Sequence, residues 1–206
     1  MSRFFKDYFQ GWPLVGTATA ALTTMTAIAL YFASSDVEGA RLVIRATART
    51  SVLLFCAAFA ASSLARLWKS PVSRWMLRNR RYLGFSFGVS HMIHYVAVAA
   101  YAILDRAGFL AGEDPPGLEK LVPILLLALM MATSFDRTAA MLGRRAWKAL
   151  HWTGSYFFWV AFLAAFGGRA WGSAFYSAIT AFILVAYLIR ITSFVVTRSR
   201  RRRANA

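Results

Sequence analysis

Acidic residues are scarce in this chain: eight Asp and Glu stand against 24 Lys and Arg, which gives a formal net charge of +16. Charged residues make up only 16% of the 206 residues, whereas soluble domains are nearer to a quarter charged. Hydrophobic residues make up 59%, and the mean hydropathy is +0.51. The basic residues lie between apolar segments, so membrane orientation explains them better than nucleic-acid binding. The composition predicts an integral membrane protein with no nucleic-acid partner.

Cysteine is almost absent, because Cys56 is the single thiol in the sequence. An intramolecular disulfide is therefore excluded, and we interpret Cys56 as a buried structural thiol within an apolar segment. The sequence contains no G-x-G-x-x-G fingerprint and no P-loop, and it has no polar segment able to fold as a flavin or nicotinamide domain. The first apolar run, residues 12–33, exceeds the ~7–15 residues of a signal-peptide core, so we expect no cleavable signal peptide.

Long uncharged segments indicate an all-α fold, an integral membrane bundle of six transmembrane helices in one domain over residues 1–206. About 20 apolar residues are needed to cross the ~30 Å hydrocarbon core of a bilayer. The predicted helices cover residues 12–33, 41–67, 82–104, 121–134, 146–166 and 170–196. Segment 71–78 mixes apolar and basic residues, which suits a separate short helix in the interface. Segments 34–39, 105–120 and 136–148 are predicted as loops.

The two signs of charge fall on opposite sides of this predicted bundle. Six basic residues precede the third helix, four precede the fifth, and an arginine run ends the chain. Six of the eight acidic residues fall on the other side. The positive-inside rule then places both termini in the cytoplasm, and we expect a bacterial inner membrane. The arginine tail should also attract anionic membrane lipid.

The third predicted helix carries two of the three histidines, His91 and His94, in the uncharged stretch Leu83–Tyr101. The third, His151, lies near the start of the fifth. An ionisable residue inside the membrane is by default a candidate for function. We interpret the three as ligands that hold a haem inside the bundle, since bundle cores commonly bind cofactors between facing helices. The alternative is that each histidine bonds a backbone carbonyl or lines a polar gap.

Helical rise alone favours one pairing of these ligands. His91 lies ten residues beyond Arg81, or ~15 Å, and His151 lies six residues beyond Arg145, or ~9 Å. His94 lies ~20 Å beyond Arg81 on the same scale. Similar depth favours His91 with His151, without excluding His94. Two imidazole ligands leave no open position on iron, which favours electron transfer over oxygen activation.

The segment Arg80-Arg81-Tyr82-Leu83-Gly84 followed by histidine resembles the ferric reductase-like transmembrane domain family. The start of the fifth predicted helix resembles the same family, because it contains basic residues followed by Trp147, Leu150-His151 and Tyr156. The resemblance covers about residues 45–190, and it is nearest to the haem-binding membrane subunits of bacterial methionine sulfoxide reductase systems. It implies a six-helix haem b protein that transfers electrons across or within the membrane, as one subunit of an oxidoreductase system.

The family pattern also implies which residues bind the iron. The ligand in the third helix lies ten positions after the glycine, which is His94 here, and the first ligand in the fifth matches His151. Many members carry a second histidine thirteen residues later, where this chain has Ala164. One haem per chain is therefore expected. Family register favours His94 and depth favours His91, so the choice between them stays open.

Two arginines are weaker site candidates. Arg80 and Arg81 could pair with haem propionates, because guanidinium binds carboxylate in a fork geometry. Plain positive-inside anchoring explains them equally well. A chain with no nucleotide domain would need a separate electron donor, a quinol or a flavoprotein, and a separate acceptor.

The alternative function is a haem-free membrane protein whose histidines bind a transition metal ion or serve transport. His91, His94 and His151 would then supply three nitrogen ligands. Against transport, the predicted helices 3 to 6 have no Asp or Glu in their cores, where proton and cation pathways usually need them.

Overall fold

The computed structural model describes residues 8–112 and 121–204, and within these ranges the chain is helical with no strand. The helices, numbered in chain order, are α1 Trp12–Tyr31, α2 Asp36–Leu67, α3 Pro71–Leu104, α4 Arg106–Gly112, α5 Leu121–Ala132, α6 Asp136–Leu142, α7 Arg144–Gly167 and α8 Ala174–Ala204. A 3₁₀ turn, Ala170–Gly172, separates α7 from α8. The all-α prediction is confirmed for the described residues.

Five of these helices, α1, α2, α3, α7 and α8, are long and apolar enough to cross a membrane. Large apolar side chains remain exposed on them, including Ile103 at 82% and Phe194 at 62%. Exposed apolar side chains of this number are unfavourable in water and favourable in lipid. The chain is therefore a multi-pass membrane protein.

The sixth predicted span is not a single straight helix. α5 has 12 residues, or ~18 Å of rise, which is shorter than the ~30 Å hydrocarbon core. α6 follows after three residues at an angle of 111°. Residues 8–112 and 121–204 therefore contain five spans, or six if α5 and α6 form one broken span.

Several predicted boundaries were wrong, and capping explains two of them. α2 begins at Asp36, five residues early, because Asp36 and Glu38 occupy its first turn, where carboxylates favour the helix dipole. α3 begins at Pro71, so the predicted interfacial helix is simply its first part. Ser70 and Ser73 fix this start, since each hydroxyl accepts a hydrogen bond from the other's backbone N–H, at 3.1 and 3.0 Å.

The predicted loop 136–148 was also wrong, because it is mostly helical. α6 and α7 meet at Gly143, whose φ of 76° lies in the left-handed region that glycine adopts readily. The final helix starts at Ala174 rather than residue 170, and it continues past residue 196 through the arginine run. Arginine is a good helix former, so the change to charged residues does not end the helix. The acidic loop residues at 113–119 lie outside the described ranges.

Internal contacts divide the chain into two compact units. The first contains the described residues of Met1–Leu53 and Phe85–Gly154, and the second contains Leu54–Gly84 and Ser155–Ala206. In the first unit, α2 and α3 run antiparallel, since Arg41 bonds Tyr101 and Asp105 while Thr47 bonds His94. All three histidines fall in this unit.

The second unit has an aromatic core. Phe55 packs on Phe59 and Phe162 with ring centroids 5.2 and 5.4 Å apart. Arg190 of α8 lies over Phe59 at 4.1 Å and over Tyr156 at 5.2 Å, and it donates a hydrogen bond to the Phe59 carbonyl at 3.1 Å. The rings thus hold a guanidinium among apolar side chains through cation–π contacts.

Candidate cofactor site around the histidines

A row of buried hydroxyls joins α2 to α3 in the first unit. Ser90 of α3 lies 3.0 Å from Thr50 Oγ1 and 2.9 Å from Ser51 Oγ, and its hydroxyl contacts the Thr47 carbonyl at 3.3 Å. Thr47, Ser51 and Ser90 have no exposed surface. Small hydroxyl residues let helix backbones approach closely and hydrogen-bond across the interface. This row sets the position of α3, and hence of its histidines, against α2.

His94 is held at the end of this row by its Nδ1 atom. Nδ1 lies 3.1 Å from the Ile44 carbonyl oxygen and 3.2 Å from Thr47 Oγ1. A carbonyl oxygen only accepts hydrogen bonds, so Nδ1 carries the proton and Nε2 carries the lone pair. Metal-bound histidines usually donate their second N–H to such a carbonyl. The same bond also fits a purely structural histidine, so it permits either role.

His91 lies one turn earlier on the same face of α3. Its ring is stacked on that of His94, with centroids 5.1 Å apart and planes at 10°. Phe87 and Tyr95 pack on it at 5.4 and 4.7 Å, and His91 is only 9% exposed. His91 is therefore enclosed by rings, whereas His94 is oriented by a backbone carbonyl.

His151 of α7 is oriented by Thr133, which follows directly after α5. Its Nε2 lies 3.1 Å from Thr133 Oγ1, and Thr133 donates to the Leu129 carbonyl at 2.7 Å. The hydroxyl oxygen must then accept from Nε2–H, which leaves the lone pair on Nδ1. Trp147 packs on the His151 ring at 4.5 Å and donates from Nε1 to the Thr133 carbonyl at 2.9 Å.

α5 contacts both histidine-bearing helices through two neighbouring methionines. A Cβ atom built on Gly88 of α3 would lie 2.6 Å from Met131 Sδ, and one built on Gly154 of α7 would overlap Met130 Sδ. Gly88 lies three residues before His91, and Gly154 lies three residues after His151. Each histidine helix therefore has a side-chain-free position one turn from its histidine, and a flexible methionine fills it.

These features fit a haem in their chemistry. The donor set consists of imidazoles on two helices, and in His94 the Nδ1–H is hydrogen-bonded while Nε2 carries the lone pair. Flexible methionines against glycines are side chains that can move aside for a flat ligand. His94 offers Nε2 as it stands, whereas Nε2 of His151 is hydrogen-bonded to Thr133 and would bind iron only after leaving it.

A bare metal site fits less well. Among residues 8–112 and 121–204, no group of three His, Cys, Asp or Glu side chains comes close enough to hold a metal ion. The three-nitrogen site predicted as the alternative is not formed in this part of the chain.

The two arginine candidates fall in the part of α3 that belongs to the second unit. Arg81 lies 6.0 Å from the Tyr82 ring, and Arg80 lies within electrostatic range of Arg66 and Arg190. Their pairing with haem propionates stays a prediction. Ala164, the position of a second ligand in the family pattern, lies on an exposed part of α7.

Sequence reasoning missed the residues that orient the histidines. Ser86, Ser90 and His94 are spaced four apart, and Thr47 with Ser51 shows the same spacing on α2. Polar residues at this spacing share one helix face, so the signal was available. Thr133, Met130 and Met131 gave no comparable signal.

No protein-family model, curated protein or solved structure matches this chain.

Proposed function

We propose that this chain is a membrane haem b protein that transfers electrons, in which His94 and His151 would hold the haem iron. The observation that carries the proposal is the hydrogen bond from His94 Nδ1 to the Ile44 carbonyl, which leaves Nε2 as the ring atom with the lone pair. His91 has the same ring type but is packed among aromatic rings. We therefore prefer His94 to His91 as the iron ligand, which agrees with the ligand position in the family pattern.

Each residue has a separate role in this proposal. Ile44 and Thr47 fix the tautomer and direction of His94, and hydrogen bonding of this kind raises the basicity of a metal ligand. Thr133 and Trp147 orient His151. Met130 and Met131 are flexible side chains that yield space next to Gly154 and Gly88. His91 and Tyr95 shield His94 from water on α3.

The haem, when bound, supplies one-electron chemistry, and two imidazole ligands suit it to electron transfer. The described helices α5, α7 and α8 contain no Asp or Glu, so the proposal includes no proton pathway. It does include a separate donor, a quinol or a flavoprotein, and a separate acceptor. Ala164 at the position of the second family ligand supports one haem per chain, and the distribution of basic residues supports a bacterial inner-membrane location with both termini in the cytoplasm.

The visible spectrum of the purified protein, before and after dithionite, tests the proposal. A bis-histidine haem gives a low-spin spectrum that sharpens on reduction. We expect His94→Ala and His151→Ala to lose it, and His91→Ala to retain it. Protein purified from haem-replete cells that shows no such spectrum, and that takes up no added haem, would contradict the proposal.

A further inference from the structure

A cavity of about 460 Å³ lies between the carboxyl-terminal ends of α2 and α8, within the second unit. Three basic side chains line it: Arg66 in the last turn of α2, Lys69 just after that helix, and Arg200 in α8. Two hydroxyl residues, Ser193 and Thr197, line the same space. The remainder of the wall is apolar. The cavity therefore combines positive charge, hydroxyl groups and an apolar wall.

The positive charge at this cavity is not matched by carboxylates. Residues 54–84 and 155–206 contain thirteen Lys and Arg and no Asp or Glu. Among the described residues, no ion pair is found for Arg66, Lys69 or Arg200. The carbonyl ends of the two helices contribute only about half a negative charge each. Three like charges around one cavity repel each other unless an anion lies between them.

Ser193 provides a second, independent observation. Its side chain is only 1% exposed, and its Oγ atom is buried without a hydrogen-bond partner in the described part of the chain. A buried hydroxyl without a partner is unfavourable, and most such groups in folded proteins are paired. Ser193 also lines the cavity, so this unpaired hydroxyl lies next to the space in which an anion would be held.

We propose that this cavity binds the phosphate of an anionic phospholipid. Phosphate oxygens accept hydrogen bonds from guanidinium, ammonium and hydroxyl groups, all of which line the cavity. The apolar part of the wall, formed by Ala65, Leu67 and Val196, suits the start of the acyl chains. Free phosphate would contact the basic side chains and Ser193 but would leave this apolar surface uncovered.

The test uses the full-length protein in nonionic detergent and does not depend on haem. Binding of phosphatidylglycerol is measured by native mass spectrometry and by the shift in melting temperature. Phosphatidylcholine with the same acyl chains and inorganic phosphate serve as the comparison ligands. We expect phosphatidylglycerol to bind and stabilise the protein, and the other two to do neither. Equal binding of both lipids, or stabilisation by inorganic phosphate alone, would overturn the proposal.

Variants locate the site. Arg66→Gln with Lys69→Gln should weaken phosphatidylglycerol binding about 25-fold, at about five-fold for each charge removed. The matched control, Arg74→Gln with Arg198→Gln, removes the same charge from exposed positions outside the cavity lining and should change binding less than two-fold. Ser193→Ala should weaken binding without any change in charge. An equal loss in the control pair would show diffuse attraction and contradict a built site. Circular dichroism of every variant checks that the helices are intact.

Discussion

Thr47→Val tests whether the hydroxyl beside His94 acts on a metal ligand. Valine keeps the shape of threonine and removes one atom that is 3.2 Å from His94 Nδ1. Thr47 is fully buried, and its hydroxyl also donates to the Val43 carbonyl at 2.6 Å. That carbonyl keeps its helical partner in the variant, so no buried group is left unpaired.

The expected loss of haem affinity follows from the two oxygen atoms that accept from His94 Nδ1–H. The single Nδ1–H is shared between the Ile44 carbonyl at 3.1 Å and the Thr47 hydroxyl at 3.2 Å, so the variant loses one branch of a bifurcated hydrogen bond, worth up to about 1 kcal/mol net. This corresponds to about five-fold weaker haem binding, near the lower limit for residues that support a metal ligand. Because the imidazole becomes less basic, the oxidised iron is stabilised less, and the midpoint potential should rise.

Haem titration of the apoprotein and a redox titration of the loaded protein measure both quantities. Thr50→Val is the matched control, since Thr50 also lies on α2 and bonds Ser90 at 3.0 Å, but it does not contact His94. Thr50→Val should reduce stability by a similar amount and leave the potential unchanged. If the two variants shift affinity and potential equally, Thr47 does not act through an iron ligand and our assignment of His94 is wrong.

Three further predictions concern ligands, stoichiometry and topology. His151→Ala should abolish the low-spin spectrum, because the other two histidines share α3; a retained spectrum at full occupancy would refute the bis-histidine model. A pyridine haemochrome assay should give one haem per chain, and a value of two would require a non-histidine ligand. Single cysteines in a Cys56→Ala background should report sidedness: Arg106→Cys should react with an impermeant maleimide in intact cells, and Arg78→Cys should not. Both positions are exposed in the structure, and the reverse pattern would invert the proposed orientation.

The sequence predicted which segments are helical much better than where they begin and end. Apolar length identifies a span, and α1 matched its prediction within two residues. Charge marks the membrane surface, so charged residues near a helix end predict a loop. In α2, α3 and α8 the helix simply continues through them, since hydrogen bonding along the backbone does not depend on the lipid boundary. Composition therefore predicts which segment lies in the membrane, whereas capping residues such as Ser70 determine where the helix begins.

The candidate site was predicted only in part for a related reason. Histidine is rare in apolar segments, so its position alone draws attention. The groups that orient His94, the Ile44 carbonyl and the Thr47 hydroxyl, come from another helix about fifty residues away. One is a backbone atom present at every residue, and the other is a common residue type. Only the antiparallel register of α2 and α3 shows that they meet His94, and register depends on packing rather than on composition.

Hydroxyl side chains near the break between α5 and α6 donate hydrogen bonds to the backbone carbonyls at the end of α5. This pairing affects how the chain enters the membrane. Thr133 donates to the Leu129 carbonyl, Ser134 to the Met130 carbonyl and Thr138 to the Ala132 carbonyl, at 2.7, 2.7 and 2.5 Å. The Thr133 carbonyl is different, because its partner is Trp147 of α7 at 2.9 Å. An unpaired carbonyl in hydrocarbon costs several kcal/mol. Insertion of α5 should therefore be completed only after α7 has been synthesised and packed beside it, so this part of the bundle assembles as a pair rather than one helix at a time.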